Sequence, residues 1–213
     1  MNKLIILIFV TASTFLLLIS CRKDDATPPQ ITLSGEKSML HILNAPFTDP
    51  GATANDNKDG DRVVTSDADS VINIDSVAVY AISYTASDES GNIATETRTV
   101  EVYNESRDVE GAYQATDIFD GDTVVFNEYV SASHNLNNKI SFSKFAYFTN
   151  ATVYAMISGT TVTIPSQSHI CGPDSAERTF AGQGSINGNT ISVSYTVSLD
   201  SATLSGSCVY VKN

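Results

Sequence analysis

The sequence predicts an all-β protein built from two antiparallel domains, and three observations predict it. Tyr80, Ile82, Tyr84 and Ala86 alternate with Ala81, Ser83 and Thr85, while Ile191, Val193, Tyr195, Val197 and Leu199 alternate with Ser192, Ser194, Thr196 and Ser198. Runs of period two turn one face to a core and the other to water, the mark of a half-buried antiparallel strand. Asn187-Gly188, set between apolar and polar strand residues, predicts a two-residue hairpin, because both residues tolerate the positive φ that such turns need. No window sustains the 3.6-residue period of an amphipathic helix over a useful length.

The chain opens on an export signal. Met1-Asn2-Lys3 is a short basic start, and Leu4 to Ile19 is apolar except for Thr11, Ser13 and Thr14. That run is 16 residues long, short of the roughly 20 that a spanning helix takes. Residues 1–20 are therefore expected to be a signal peptide. Leu18-Ile19-Ser20-Cys21 resembles the lipobox of bacterial lipoproteins, which implies that Cys21 becomes the lipidated first residue of the mature chain. The alternative is an ordinary secretory signal that happens to hold a cysteine. Several acyl chains, at about 0.8 kcal/mol per buried methylene, anchor far more firmly than a single myristoyl group.

Residues 21–29 then read as the lipidated cysteine and a tether. Arg22-Lys23-Asp24-Asp25 resembles the acidic tag that follows the lipidated cysteine in Bacteroidota lipoproteins destined for the outer face of the outer membrane. The plainer reading is a solvated tether. Ala26-Thr27-Pro28-Pro29 is a stiff, extended spacer.

Composition narrows the function classes. The chain carries 12 basic and 24 acidic side chains, a formal charge of -12. A surface this acidic repels nucleic acid and anionic headgroups, so the membrane is reached through the lipid and no nucleic-acid partner is expected. Only 17% of residues are charged and 42% are hydrophobic, which excludes a disordered acidic tail. Length suffices for two domains with real cores.

The polar run Asn104 to Glu110 follows a strand ending in Val100, Val102 and Tyr103 and precedes a new run from Gly111-Ala112-Tyr113. It is read as a linker, dividing a domain at residues 30–103 from one at 111–213. The second domain holds 12 of the 18 Phe and Tyr residues, so a larger core or an aromatic surface is expected there.

Within the first domain, Ile31-Thr32-Leu33, Phe47-Thr48-Asp49-Pro50-Gly51-Ala52-Thr53-Ala54, Asp59-Gly60-Asp61, Tyr84-Thr85-Ala86-Ser87-Asp88-Glu89-Ser90-Gly91-Asn92 and Arg98-Thr99-Val100 occur in order. Together they resemble the bacterial immunoglobulin-like module first noted in a pesticidal crystal toxin. The resemblance implies an immunoglobulin-like β-sandwich and says little about function, since such modules serve many proteins as spacers and adhesive repeats. Inside it, Asn55, Asn57 and Asp59 alternate ahead of Gly60 and Asp61, like the first half of a calcium loop. Calcium is therefore a candidate ligand of Asn55, Asn57, Asp59 and Asp61, with Asp88 adding an oxygen from its own turn. Ser66 stands where such a loop needs a bidentate carboxylate, and an Asx-rich turn explains the same residues.

The second domain resembles, through Gly111-Ala112-Tyr113, Ser158 to Pro165 and Cys208-Val209-Tyr210-Val211, the C-terminal β domains that accompany this module in Bacteroidota lipoproteins. The resemblance brings no activity. Seven or eight strands with short polar turns suggest an antiparallel sandwich or a barrel-like domain. Outside the cytoplasm, Cys171 and Cys208 are expected to form a disulfide, adding roughly 3 to 4 kcal/mol on the chain-entropy model. A zinc site with His169 is the alternative.

No catalytic centre is visible. His41, His134 and His169 sit in no metal or nucleophile motif. Asp120, Asp122 and Glu128 are the raw material of a glycosidase pair, and charged turn residues explain them as well. The expected function is non-catalytic: a surface lipoprotein binding glycans or other extracellular ligands, or else a structural subunit docked on another outer-membrane protein, with a glycoside-active enzyme as the remotest reading. Phe142, Phe145, Tyr147 and Phe148 crowd one short segment. In a regular strand Phe145 and Tyr147 would share a face opposite Phe142 and Phe148, forming a stacking surface for a sugar ring or a partner. A bulge would instead bury all four. Asp69-Ser70-Val71, Asp75-Ser76-Val77, Asp122-Thr123-Val124, Asp174-Ser175-Ala176 and Asp200-Ser201-Ala202 resemble the O-glycosylation acceptor of Bacteroidota.

Overall fold

The computed structural model describes residues 25–148 and 150–213. Residues 1–20, expected to be a signal peptide, Cys21 and Arg22-Lys23-Asp24 lie outside the described residues. Seven strands occupy the N-terminal part: β1 (Gln30–Leu33), β2 (Ser38–Ile42), β3 (Ala52–Asp56), β4 (Gly60–Arg62), β5 (Val64–Ser66), β6 (Ala78–Ser87) and β7 (Ile93–Tyr103), with one helical turn, α1 (Ala68–Val71), between β5 and β6. They form a three-stranded sheet in the order β1-β3-β4 and a four-stranded sheet in the order β2-β7-β6-β5. By compactness the chain divides into two units, one of residues 25–34, 51–66 and 83–96, the other of residues 35–50, 67–82 and 97–213.

In the first unit, β3 and β4 make a hairpin whose register pairs Asn55 with Asp61 and Asp56 with Gly60. Alternation along β3 then decides each residue's surroundings: Ala54 and Asp56 are buried, while Thr53 and Asn55 are exposed. The Asp56 carboxylate closes the turn by accepting from the Lys58 amide at 2.8 Å and the Asp59 amide at 3.0 Å, which is Asx-turn chemistry.

In the second unit, β2 runs parallel to β7, from Ser38 opposite Thr99 to Ile42 opposite Tyr103. Arg98, fully buried, donates from Nη1 to Asp49 Oδ1 at 2.5 Å and from Nε to the Glu36 carbonyl at 3.0 Å. Two pieces of the sequence motif, Asp49-Pro50-Gly51 and Arg98-Thr99-Val100, thus meet as an ion pair. The segment read as a linker carries a 3₁₀ helix, Glu105–Val109, capped by Asn104, whose side chain accepts from the Ser106 amide. Asn104 also donates to the carbonyls of Ser133 and Leu136.

The remaining strands are β8 (Gly111–Phe119), β9 (Asp122–Ala132), β10 (Lys139–Phe142), β11 (Val153–Ser158), β12 (Thr161–Cys171), β13 (Ala176–Asn187), β14 (Thr190–Leu199) and β15 (Ala202–Lys212). Each pairs antiparallel with the next, and β15 pairs with β8, so the sheet closes into an eight-stranded up-and-down barrel. Of the two architectures expected, this is the barrel. Closure places Ala115 between Phe126 of β9 and Tyr210 of β15 and leaves no sheet edge. Pro165, which lacks an amide hydrogen, sits at an irregularity in the β12 register between Ile164 and Gln167. There the Gln167 amide accepts from Tyr154 N at 3.0 Å and donates to Tyr154 O at 2.8 Å, standing in for missing backbone bonds.

Inward-facing residues fill the barrel with a single apolar cluster in which Phe142, Phe145, Phe180, Tyr195 and Tyr210 are buried. Two expectations are corrected here. The β13–β14 hairpin exists, but Asn187 pairs with Thr190, so the turning residues are Gly188 and Asn189, with Gly188 at φ 55°. The Cys171–Cys208 disulfide is not formed: both thiols are free and buried. Their strands, β12 and β15, are separated by β13 and β14, and three strand spacings of about 4.8 Å exceed the roughly 7 Å of Cα separation that a disulfide spans. Nor, among the described residues, does His169 join these cysteines in a ligating group; its Nε2 lies 3.3 Å from Gln167 Oε1 instead.

Candidate functional site

Up-and-down topology gathers the β8–β9, β10–β11, β12–β13 and β14–β15 connections at one end of the barrel. Asp120 and Gly121 make the β8–β9 turn, both at positive φ (51° and 86°), so two residues suffice to reverse the chain. The long connection after Phe142 leaves the β geometry altogether. Phe145–Tyr147 form a 3₁₀ turn, and Ala146 and Tyr147 adopt φ of 51° and 61°. The left-handed region costs a non-glycine residue roughly 1–2 kcal/mol, and such strain concentrates at functional sites.

This turn corrects the strand-parity reading of Phe145 and Tyr147. Phe145 is fully buried, packed on Phe180 and on Tyr195 with ring centroids 5.8 and 4.9 Å apart. Tyr147 is 56% exposed and tilts against Phe126 at 5.8 Å. The two rings therefore do not form one platform, because the chain turns between them instead of running on as a strand. Tyr147 alone reaches the opening.

A cavity of about 570 Å³ lies at this opening, lined by Asp117, Phe119, Asp120, Asp122, Tyr147 and Phe148 among others. A second lobe of about 320 Å³ shares Phe119 and Phe148 with it and adds Val197, Leu199, Leu204 and Arg178. The mouth is thus acidic on one side and apolar on the other. Arg178 stiffens the rim: its guanidinium pairs with Asp174 at 2.8 and 2.9 Å, donates to the Cys171 carbonyl and lies 5.2 Å over the Phe148 ring. A larger depression of about 710 Å³ on the outer wall, around Gly182 and Gly206, is lined mainly by small polar side chains and offers no charged group.

Asp117 forms the floor. Its buried carboxylate accepts from the Tyr195 hydroxyl at 2.9 and 3.0 Å, and burial raises its pKa while the Tyr195 and Cys208 hydrogen bonds oppose the shift. Burial and the facing Asp117 charge likewise push the Tyr195 phenol well up, and burial takes the Cys208 thiol to about 12. The Tyr210 hydroxyl is buried without a regular hydrogen bond, with the weakly bonding Cys208 thiol as its polar neighbour. The Tyr195 phenol and the Cys208 thiol therefore keep their protons at neutral pH.

Tyr195 reaches Asp117 only because Gly206 intervenes without a side chain. A Cβ there would lie 2.5 Å from the Tyr195 ring and hydroxyl. Sequence reading singled out neither Asp117 nor Tyr195 as a pair, although the inward parity of both was visible.

The carboxylates considered as a glycosidase pair do not face one another. Glu128 is buried and accepts from the amides of Tyr129, Ser143 and Lys144 and from Ser143 Oγ at 2.6 Å. It clamps the connection that carries Tyr147, while Asp120 and Asp122 stay exposed at the mouth.

The five residues of the expected calcium loop are dispersed. Asn55 donates to Asp61 Oδ1 across the exposed face of the hairpin, and Asp59 Oδ2 accepts from the Glu89 amide. Asn57 is an exposed turn residue. Only Asp88 enters a carboxylate cluster, and its companions are Asp25 and Asp56.

Residues 31–102 match the family model described as "Bacterial surface protein, Ig-like domain", so the N-terminal part is an immunoglobulin-like domain. A solved structure of a lipoprotein from Bacteroides thetaiotaomicron is similar at 16% identity, covering 85% of this chain and 98% of that chain, with a TM-score of 0.32. No curated protein matches the chain.

Proposed function

We propose that this protein is a cell-surface lipoprotein whose barrel captures a small extracellular ligand without chemical conversion, and that the ligand is a glycan. The observation that carries this reading is the mouth itself. It joins an exposed ring, Tyr147, held in a strained turn, to the free carboxylates of Asp120 and Asp122. A sugar ring lays its C–H face on an aromatic ring and donates hydroxyls to carboxylates, and barrel mouths are common ligand sites. Lipidation of Cys21 and the tether at 21–29 would hold the barrel at the outer face of the outer membrane, and a bacterial-surface type of immunoglobulin-like domain at 31–102 supports that location.

Docking on another outer-membrane protein draws on a different feature. Val125 and Tyr129 of β9 and Val209 and Val211 of β15 are exposed on the two strands that flank β8, and an exposed apolar patch is interface material. A glycan array probed with the full chain in detergent separates the two. Saturable binding to a set of glycans is expected. No glycan binding, together with co-purification of one stoichiometric membrane protein, would favour docking.

A further inference from the structure

We propose that the immunoglobulin-like domain binds a calcium ion between Asp25, Asp56 and Asp88, and that the ion fastens the tether to the domain. The three residues come from separate places: Asp25 from the tether, Asp56 from the end of β3 and Asp88 from the turn after β6. Each offers a carboxylate oxygen, and the three oxygens all lie within 4.8 Å of one another.

Burial makes this more than an acidic patch. Asp56 is 3% exposed, and the Asp25 side chain is 6% exposed. In both, one oxygen is spoken for. Asp56 Oδ1 accepts from the Lys58 and Asp59 amides, and Asp25 Oδ1 accepts from the Thr27 amide at 3.1 Å and lies 3.4 Å from Lys58 Nζ. The other oxygen, Oδ2 in each case, is buried with no hydrogen-bond partner. A buried, unpartnered carboxylate oxygen is costly unless a cation meets it, and here two of them belong to one cluster.

Asp88 is held for the same task. Asn92 donates to it from the backbone at 2.7 Å and from Nδ2 at 2.6 Å, and the same Nδ2 donates to the Asp25 carbonyl at 2.9 Å. Backbone amides lower the Asp56 pKa. Burial raises that of Asp88, but the Asn92, Gly91 and Ser90 hydrogen bonds outweigh it and the net shift is downward. Among the described residues, Lys58 is the one cation beside the cluster, its Nζ 3.4 Å from Asp25 Oδ1.

Size selects the ion. Calcium takes oxygens at about 2.3–2.6 Å, so oxygens in one coordination sphere lie up to roughly 5 Å apart; magnesium, at about 2.0–2.1 Å, demands a tighter octahedron and keeps its water. Three protein carboxylates with oxygens all within 4.8 Å of one another fit one calcium sphere, whereas magnesium takes one or two carboxylates and keeps several waters. Affinity on the order of 10⁻⁴–10⁻³ M is expected, as for other extracellular modules. The inference is independent of the barrel mouth.

The test is thermal melting of the full chain in detergent, titrated with calcium from an EDTA-treated start. A saturable rise in melting temperature is expected. Asp56→Asn should abolish it, and Asp25→Asn, which changes only the tether, should weaken the apparent affinity by roughly tenfold or more. Absence of a saturable rise, persistence of the rise in both variants, or an equal rise with magnesium would overturn the proposal.

Discussion

The immunoglobulin-like segment and the barrel solve the same problem, burying one face of every strand, with different material. The segment at 31–102 places charge inside: Asp56, Asp88 and Arg98 are all buried, beside small or medium residues such as Ala54, Ala86, Val100 and Val102. The barrel fills its interior with rings, Phe142, Phe145, Phe180, Tyr195 and Tyr210 forming one contiguous cluster, with Asp117 and Glu128 as its buried carboxylates. Small sandwiches bury less apolar surface per residue, and paired buried charges fix geometry even where they add little net stability. The comparison teaches that the first region is specified by a few polar contacts, each sensitive to a single change, and the second by distributed packing that leaves one end free to diverge.

The largest stability effect should therefore lie in the immunoglobulin-like segment. Arg98→Ala removes the partner of Asp49 and the donor to the Glu36 carbonyl, and breaking a buried pair from one side costs roughly 3–5 kcal/mol. Urea denaturation should show a loss of that order. A loss below about 1 kcal/mol would mean that Arg98 is not the keystone of its region.

The barrel should respond less to its own most crowded position. Gly206→Ala sets a methyl against the Tyr195 ring, and overpacking costs typically about 1–3 kcal/mol. Because Tyr195 is tied to Asp117, the ring yields only by losing that bond. Melting of this variant as high as wild type would show that Tyr195 has room to move.

The two regions also differed in how plainly they could be read. Alternation along Tyr80–Ala86 and Ile191–Leu199 located the strands and their inward faces, since period two survives any choice of architecture. Barrel against sandwich stayed open because closure depends on β15 meeting β8, a pairing of the domain's first and last strands that leaves no local trace. The motif Asp49-Pro50-Gly51 with Arg98 was legible as a pattern, but the ion pair behind it was not.

At the sites the misses are physical as well. The odd positions Asn55, Asn57 and Asp59 drew attention as calcium ligands, yet β3 alternation turns Asp56 inward with Ala54. Parity with Ala54 was the available signal. Asp25 joins from the tether, which no local pattern reveals. A regular strand would pair Phe145 with Tyr147 and a bulge would bury all four rings; the chain does neither, because Ala146 and Tyr147 take left-handed conformations that neither residue type advertises. The disulfide followed from compartment and count, and strand order overruled it.

The smallest stability change should accompany the largest change in function. Tyr147 is exposed and contacts the core through Phe126 alone among the rings, so Tyr147→Ala should alter stability by no more than about 0.5 kcal/mol. If the mouth is the glycan site, that variant binds no glycan that the wild-type chain binds on the array, while its melting temperature stays within a few degrees. Undiminished glycan binding by a normally folded Tyr147→Ala chain would contradict the account and move the site away from the barrel mouth.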